Sequence, residues 1–140
     1  VVSDFLQVAG LELVGKAKFN PFRHDIVTFR DKDPEEQARL IQSDPRYGQI
    51  VCRCETVTEA EIVQALERPI PCLTIDGVKR RTHAGMGRCQ AGFCTPRVVE
   101  IMARELGLSW DKVTKRGGDS RLLLAHTKGS VTERGAGENA

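Results

Sequence analysis

The sequence predicts a small, mainly α-helical domain with short β segments and an extended N-terminal arm. Two observations carry the prediction. Apolar residues recur at helical spacing in stretches bounded by capping, proline and glycine residues. The 140-residue chain is 40% hydrophobic but only 5% aromatic, which suits one lean core that a metal staple would strengthen.

Val1 and Val2, with Phe5, Leu6 and Ala9, trace an apolar stripe that stops at Gly10. A helix that opens on two valines with no capping residue before them reads as cut in the middle, so the chain is expected to be a piece of a longer protein. Lys16 to Arg30 reads as a connector holding Asn20-Pro21 and a short extended run, Asp25 to Phe29. Asp33 caps a helix that starts on Pro34 and runs to about Ser43, and Asp44-Pro45 closes it. Gln49 to Cys52 is β-like.

Thr58 and Glu61 form a capping box ahead of Ile62, Val63, Ala65 and Leu66, which predicts a helix over about 59–68 that Pro69 and Pro71 end. Thr74 caps a helix over about 75–83, broken by Gly85 and Gly87. Thr95 is the expected cap of the last long helix, with Pro96 in its first position, Val98, Val99, Ile101, Met102 and Leu106 inward, and Gly107 as its stop. Ser109 to Lys115 is expected to form one more turn and Arg121 to Ala125 a short strand. The polar tail from Thr127 is expected to be disordered.

A net charge of +2 gives no argument for a nucleic-acid partner. The apolar runs are too short for a transmembrane helix or a signal peptide, so a reducing, cytoplasmic setting is expected, in which disulfides are rare. No serine nucleophile elbow, phosphate-cradling Gly-Lys loop or dinucleotide fingerprint is present, so nothing points to a hydrolase or transferase.

Of the five cysteines, Cys52 and Cys54 form one close pair and Cys89 and Cys94 another, while Cys72 stands apart. Paired cysteines in a reducing setting read as metal ligands. Both pairs lie just before predicted helix starts, where unpaired N–H groups and a partial positive charge suit an anionic site. Four thiolates around a diferric two-sulfide core sum to a charge of −2, and the sequence places Arg53 between the first two cysteines, Arg88 beside Cys89 and Arg97 in the next helix turn. Gly85, Gly87 and Gly92 clear side chains from the second pair. The expectation is a [2Fe–2S] cluster on Cys52, Cys54, Cys89 and Cys94, with Arg53, Arg88 and Arg97 tuning its potential.

The alternative is structural Zn, which also takes four thiolates, though usually at spacings wider than Cys-x-Cys. Cys72 reads as a plain buried thiol and His83 as a helix-end histidine. Lys79 to Arg81 are open to reading as a solvated face.

The stretches Val51 to Ile62 (VCRCETVTEAEI), Asp76 to Thr82 (DGVKRRT) and Ala84 to Cys94 (AGMGRCQAGFC) closely resemble the [2Fe–2S] domain of the bacterioferritin-associated ferredoxin (BFD-like) type. The form resembled most is the one fused to the C-terminus of FAD-dependent dehydrogenases, especially the large subunit of anaerobic glycerol-3-phosphate dehydrogenase. Ferredoxin-type relatives usually separate the second cysteine pair by two residues, whereas the flavoenzyme-fused branch has the four-residue gap seen here. Similar modules serve sarcosine, proline and hydroxyproline dehydrogenases.

The resemblance implies that the four paired cysteines are the cluster ligands and that FAD sits in an upstream domain. Residues 1–46 would then be the end of the flavin domain plus a connector, 47–116 the cluster domain and 117–140 a partly disordered tail. It implies that electrons pass singly from flavin through the cluster toward quinone or another dehydrogenase subunit. The partners would be the upstream FAD domain of the same chain and other dehydrogenase subunits, with membrane contact at the inner membrane only through a partner subunit. This piece alone would not be catalytic.

Overall fold

The computed structural model describes residues 2–11 and 17–124. Over these the chain forms five α-helices: α1 (Val2–Val8), α2 (Pro34–Ser43), α3 (Glu59–Glu67), α4 (Ile75–Thr82) and α5 (Thr95–Leu106). One antiparallel pair of short strands joins them, β1 (Ile50–Cys52) and β2 (Val57–Thr58). The architecture is the small, mainly α domain that the spacing predicts.

Local chemistry accounts for most helix starts. The Asp33 carboxylate accepts from the Glu36 N–H at 2.8 Å, with Pro34 in the first position of α2. At α3 the capping box is complete: the Glu61 N–H donates to Thr58 Oγ1, and Glu61 Oε2 accepts from the Thr58 N–H at 2.7 Å. Thr74 Oγ1 caps α4 by accepting from Gly77. Two further N–H groups of the first turn of α4, on Ile75 and Asp76, donate to the carbonyls of Thr114 and Lys115, and the Lys115 ammonium sits 2.9 Å from the Asp76 carboxylate. The segment after α5 is thereby tied back onto the domain.

The start of α5 corrects the expected cap. Cys94, not Thr95, is the N-cap, and it is already in the right-handed helical region. Thr95 Oγ1 donates backward to the Ala91 carbonyl at 2.6 Å, so the hydroxyl is a donor in the loop and not an acceptor for the helix.

The core lies where α3, α4 and α5 meet. Ile62, Val63, Val78, Ile101 and Met102 are fully buried there, Val113 closes one end, and Cys52 and Cys94 belong to the same apolar cluster. The extended run over 25–29 is not paired into a sheet: 21–28 has no regular secondary structure and leads into a 3-10 turn, Phe29–Asp31. The arm is held instead by side chains of α3, with the Phe29 N–H donating to Glu61 Oε1 at 3.3 Å and the Phe29 ring stacked on Tyr47. Near the C-terminus a 3-10 turn, Trp110–Lys112, forms as expected. The expected strand from Arg121 reduces to one isolated bridge, Thr114 to Arg121. The tail from Thr127 lies outside the described residues.

Candidate metal centre

The two cysteine pairs arrive by different routes. β1 ends on Cys52, whose side chain is buried, and the turn that reverses into β2 carries Cys54 into an exposed position. Cys89 and Cys94 come from the loop between α4 and α5, with Cys94 buried at the helix start. That loop contorts to bring them there: Gln90 and Ala91 adopt positive φ angles of 49° and 73°, and Thr56 beside the first pair adopts 51°. Such angles cost non-glycine residues roughly 1–2 kcal/mol each and concentrate at functional sites.

All four sulfur-bearing residues line one cavity of about 540 Å3, shared with Ile50, Val51, Arg53 and Phe93. The pairing within it crosses the loops. Cys54 lies within hydrogen-bonding reach of Cys89, and Cys52 within reach of Cys94. Among the described residues no group of three or more His, Cys, Asp or Glu side chains is gathered as a site for a metal ion.

The backbone closes in on the same cysteines. The Gly85 N–H donates to Cys52 Sγ at 3.5 Å, from a residue with φ of +87° that disfavours a side chain. A Cβ on Gly87 would overlap Cys54 Cβ and stand 2.9 Å from Glu55 Oε1, so only glycine lets the two loops approach this closely. The Phe93 N–H, then the Cys54 side chain and the Ala91 and Gly92 N–H groups, hold the Cys89 thiol below its ordinary range. Burial, reinforced by Cys52 and Cys89, pushes Cys94 up to about 11. Four thiols on a cradle of inward N–H groups suit an anionic thiolate cluster.

The three arginines separate. Arg53 lines the cavity. Arg88 is exposed beside Cys89 and is not among the lining residues. Arg97 does not face the cavity: its guanidinium binds Glu59 at 2.9 Å and Glu100 at 2.7 Å. Arg104 reaches the other Glu59 oxygen at 2.6 Å, so a nearly buried carboxylate is held between two half-exposed cations. Glu59 was not singled out by the sequence, because its partners lie 38 and 45 residues away. Glu59→Ala is expected to cost about 1–2 kcal/mol in urea unfolding, since both arginines left behind remain open to water. Cys72 is buried outside the cavity, where burial raises its thiol pKa despite the nearby Arg81. His83 is exposed at the end of α4.

A small helical domain that presents two cysteine pairs from two loops to one cavity has the arrangement of a thiolate metal-binding module. Residues 50–104 match the family model of the BFD-like [2Fe-2S] binding domain. Over 130 residues the chain is 45% identical to a glycerol 3-phosphate dehydrogenase of Caloramator mitchellensis, a match covering 93% of this chain and 27% of the relative. It is 38% identical over 80 residues to anaerobic glycerol-3-phosphate dehydrogenase subunit A1 of Haloferax volcanii, covering 57% of this chain and 13% of the relative. It is 44% identical over 72 residues to hydrogen cyanide synthase subunit HcnB of Pseudomonas aeruginosa, covering 49% and 14%. The chain thus spans about a quarter or less of these relatives. No solved structure matches it. No helix among the described residues is long and apolar enough to cross a membrane.

Proposed function

We propose that this chain is the one-electron transfer module of a larger FAD-dependent dehydrogenase, with a [2Fe–2S] cluster on Cys52, Cys54, Cys89 and Cys94. The observation that carries the reading is the convergence of both cysteine pairs on one cavity backed by the Gly85 N–H. When bound, the cluster supplies reversible one-electron oxidation and reduction. The residues of this chain then have distinct tasks. Cys52 and Cys94 anchor the inner side in the apolar core, while Cys54 and Cys89 hold the outer side toward solvent. Arg53 places a positive charge on the cavity wall, which favours the reduced, more negative state. The exposed ring of Phe93 lines the same cavity and offers a redox partner an apolar contact there.

The names of the relatives support the wider assignment. A glycerol 3-phosphate dehydrogenase and a hydrogen cyanide synthase subunit share this stretch. A segment common to a dehydrogenase and a synthase subunit suits electron passage better than substrate recognition. The identity with the Caloramator mitchellensis protein extends across nearly the whole chain, which favours glycerol 3-phosphate as the substrate of the parent enzyme. Electrons would run from an upstream flavin through this module to a partner subunit or quinone, and any membrane attachment would come through that partner.

Anaerobic reconstitution with iron and sulfide tests the reading. The expected product is brown, holds two irons and two sulfides per chain, and gives an EPR signal that appears and disappears with one electron. A colourless protein holding one tight zinc and taking up no iron overturns the proposal.

A further inference from the structure

A second cavity, of about 480 Å3, opens where the arm crosses the ends of α3 and α4. Arg23 and Asp25 from the arm, Arg68 from the end of α3, and Arg81 and His83 from the end of α4 face it. The other charged groups around it are already engaged. Arg30 binds Glu55 at 2.7 Å and stands 3.6 Å from Asp31, while the Glu61 carboxylate accepts from the Thr58 and Phe29 N–H groups.

Arg68 and Arg81 lack such counter-ions. Arg68 donates to the His24 carbonyl and Arg81 to the Ile70 carbonyl, and Arg81 also lies against the Cys72 thiol. Among the described residues neither guanidinium forms an ion pair, and neither does Arg23. Carbonyl anchors fix the two side chains while leaving most of their five N–H donors unused. His83 occupies a left-handed helix cap with φ of 65°, where glycine is the comfortable residue. Its imidazole lines the cavity at that conformational cost.

We propose that this cavity is a binding site for a phosphate group, as inorganic phosphate or as a small phosphate monoester. The lining as a whole is balanced, four arginines against Asp25, Asp31, Glu55 and Glu61, but Arg23, Arg68 and Arg81 keep guanidinium N–H donors that no carboxylate takes up. The oxygens of one phosphate can accept from all three, where a planar carboxylate has only two oxygens. The guanidinium fork matches phosphate oxygens in paired hydrogen bonds, and the volume falls in the range of small-ligand sites. An occupant would bridge the arm to both helix ends, holding 23–31 against the cluster domain. The proposal does not depend on the metal.

Thermal unfolding of the purified chain at fixed ionic strength tests it, with sodium phosphate, glycerol 3-phosphate and sodium chloride as separate additions. Millimolar phosphate is expected to raise Tm by about 5 °C, with no comparable rise from chloride. Arg81→Gln should abolish the response. Arg23→Gln removes a side chain with no partner in the fold and should weaken phosphate binding about tenfold, so the test survives if the Arg81 variant does not fold. Tighter saturation by the ester identifies a monoester site, and tighter saturation by inorganic phosphate a free-phosphate site. An equal response to chloride, or an Arg23→Gln response equal to that of the parent chain, overturns the proposal.

Discussion

Gly87→Ala is expected to leave a protein that neither folds at full stability nor takes up iron. The added methyl would overlap Cys54 Cβ and press on Glu55 Oε1 at 2.9 Å, and the Cys54 backbone carbon lies 3.4 Å away. The Glu55 carboxylate ends a flexible side chain and can swing aside, but Cys54 Cβ and its backbone carbon cannot. One loop must therefore retreat from the other, at a cost of about 3 kcal/mol, near the upper end for overpacking. The retreat separates Cys54 from Cys89, the two sulfur-bearing residues within reach of each other at the exposed side. Gly48→Ala is the matched control: its methyl would meet Ile41 at an ordinary 3.6 Å in a turn that does not line the cysteine cavity. Iron content after reconstitution and the urea midpoint check both variants. Equal iron uptake by the Gly87 variant and its control would remove the close-approach argument.

The features legible in the sequence are those whose causes are local. Asp33, Thr58 with Glu61, and Thr74 each cap a helix through a hydrogen bond to a residue three positions on, so a four-residue window contains the whole interaction. Thr95 defeats the same rule because its hydroxyl answers to Ala91, whose carbonyl is placed by a left-handed loop that no pattern announces. The extended run at 25–29 has β-like residues, but the neighbouring partners are side chains of α3, and a strand without a strand beside it forms no ladder. For the site, the identity and spacing of the cysteines pointed to metal chemistry, and Arg53 does stand on the cavity wall. Arg97 follows Cys94 by one helical turn, yet its guanidinium is held by Glu59 at a separation of 38 residues. Electrostatic partners chosen through the fold are invisible to spacing.

Replacing the cysteines one at a time with alanine should separate cofactor binding from packing. Loss of Cys52, Cys54, Cys89 or Cys94 is expected to abolish stoichiometric iron uptake, because three thiolates leave one metal atom of the pair a ligand short. Cys72→Ala should keep its iron, since that thiol lies outside the cavity. The metal-free proteins divide differently. Cys52, Cys94 and Cys72 are 1%, 3% and 3% exposed and pack in one apolar cluster, so each alanine removes buried sulfur contacts worth about 1–2 kcal/mol. Cys54 is exposed, and its alanine variant should unfold with an unchanged midpoint. Two measurements thus yield a crossed pattern: iron is lost without stability at 54, stability without iron at 72, and both at 52 and 94. Retention of full iron by the Cys54 variant would remove it from the ligand set, and loss of iron from the Cys72 variant would place a ligand where the fold shows only core.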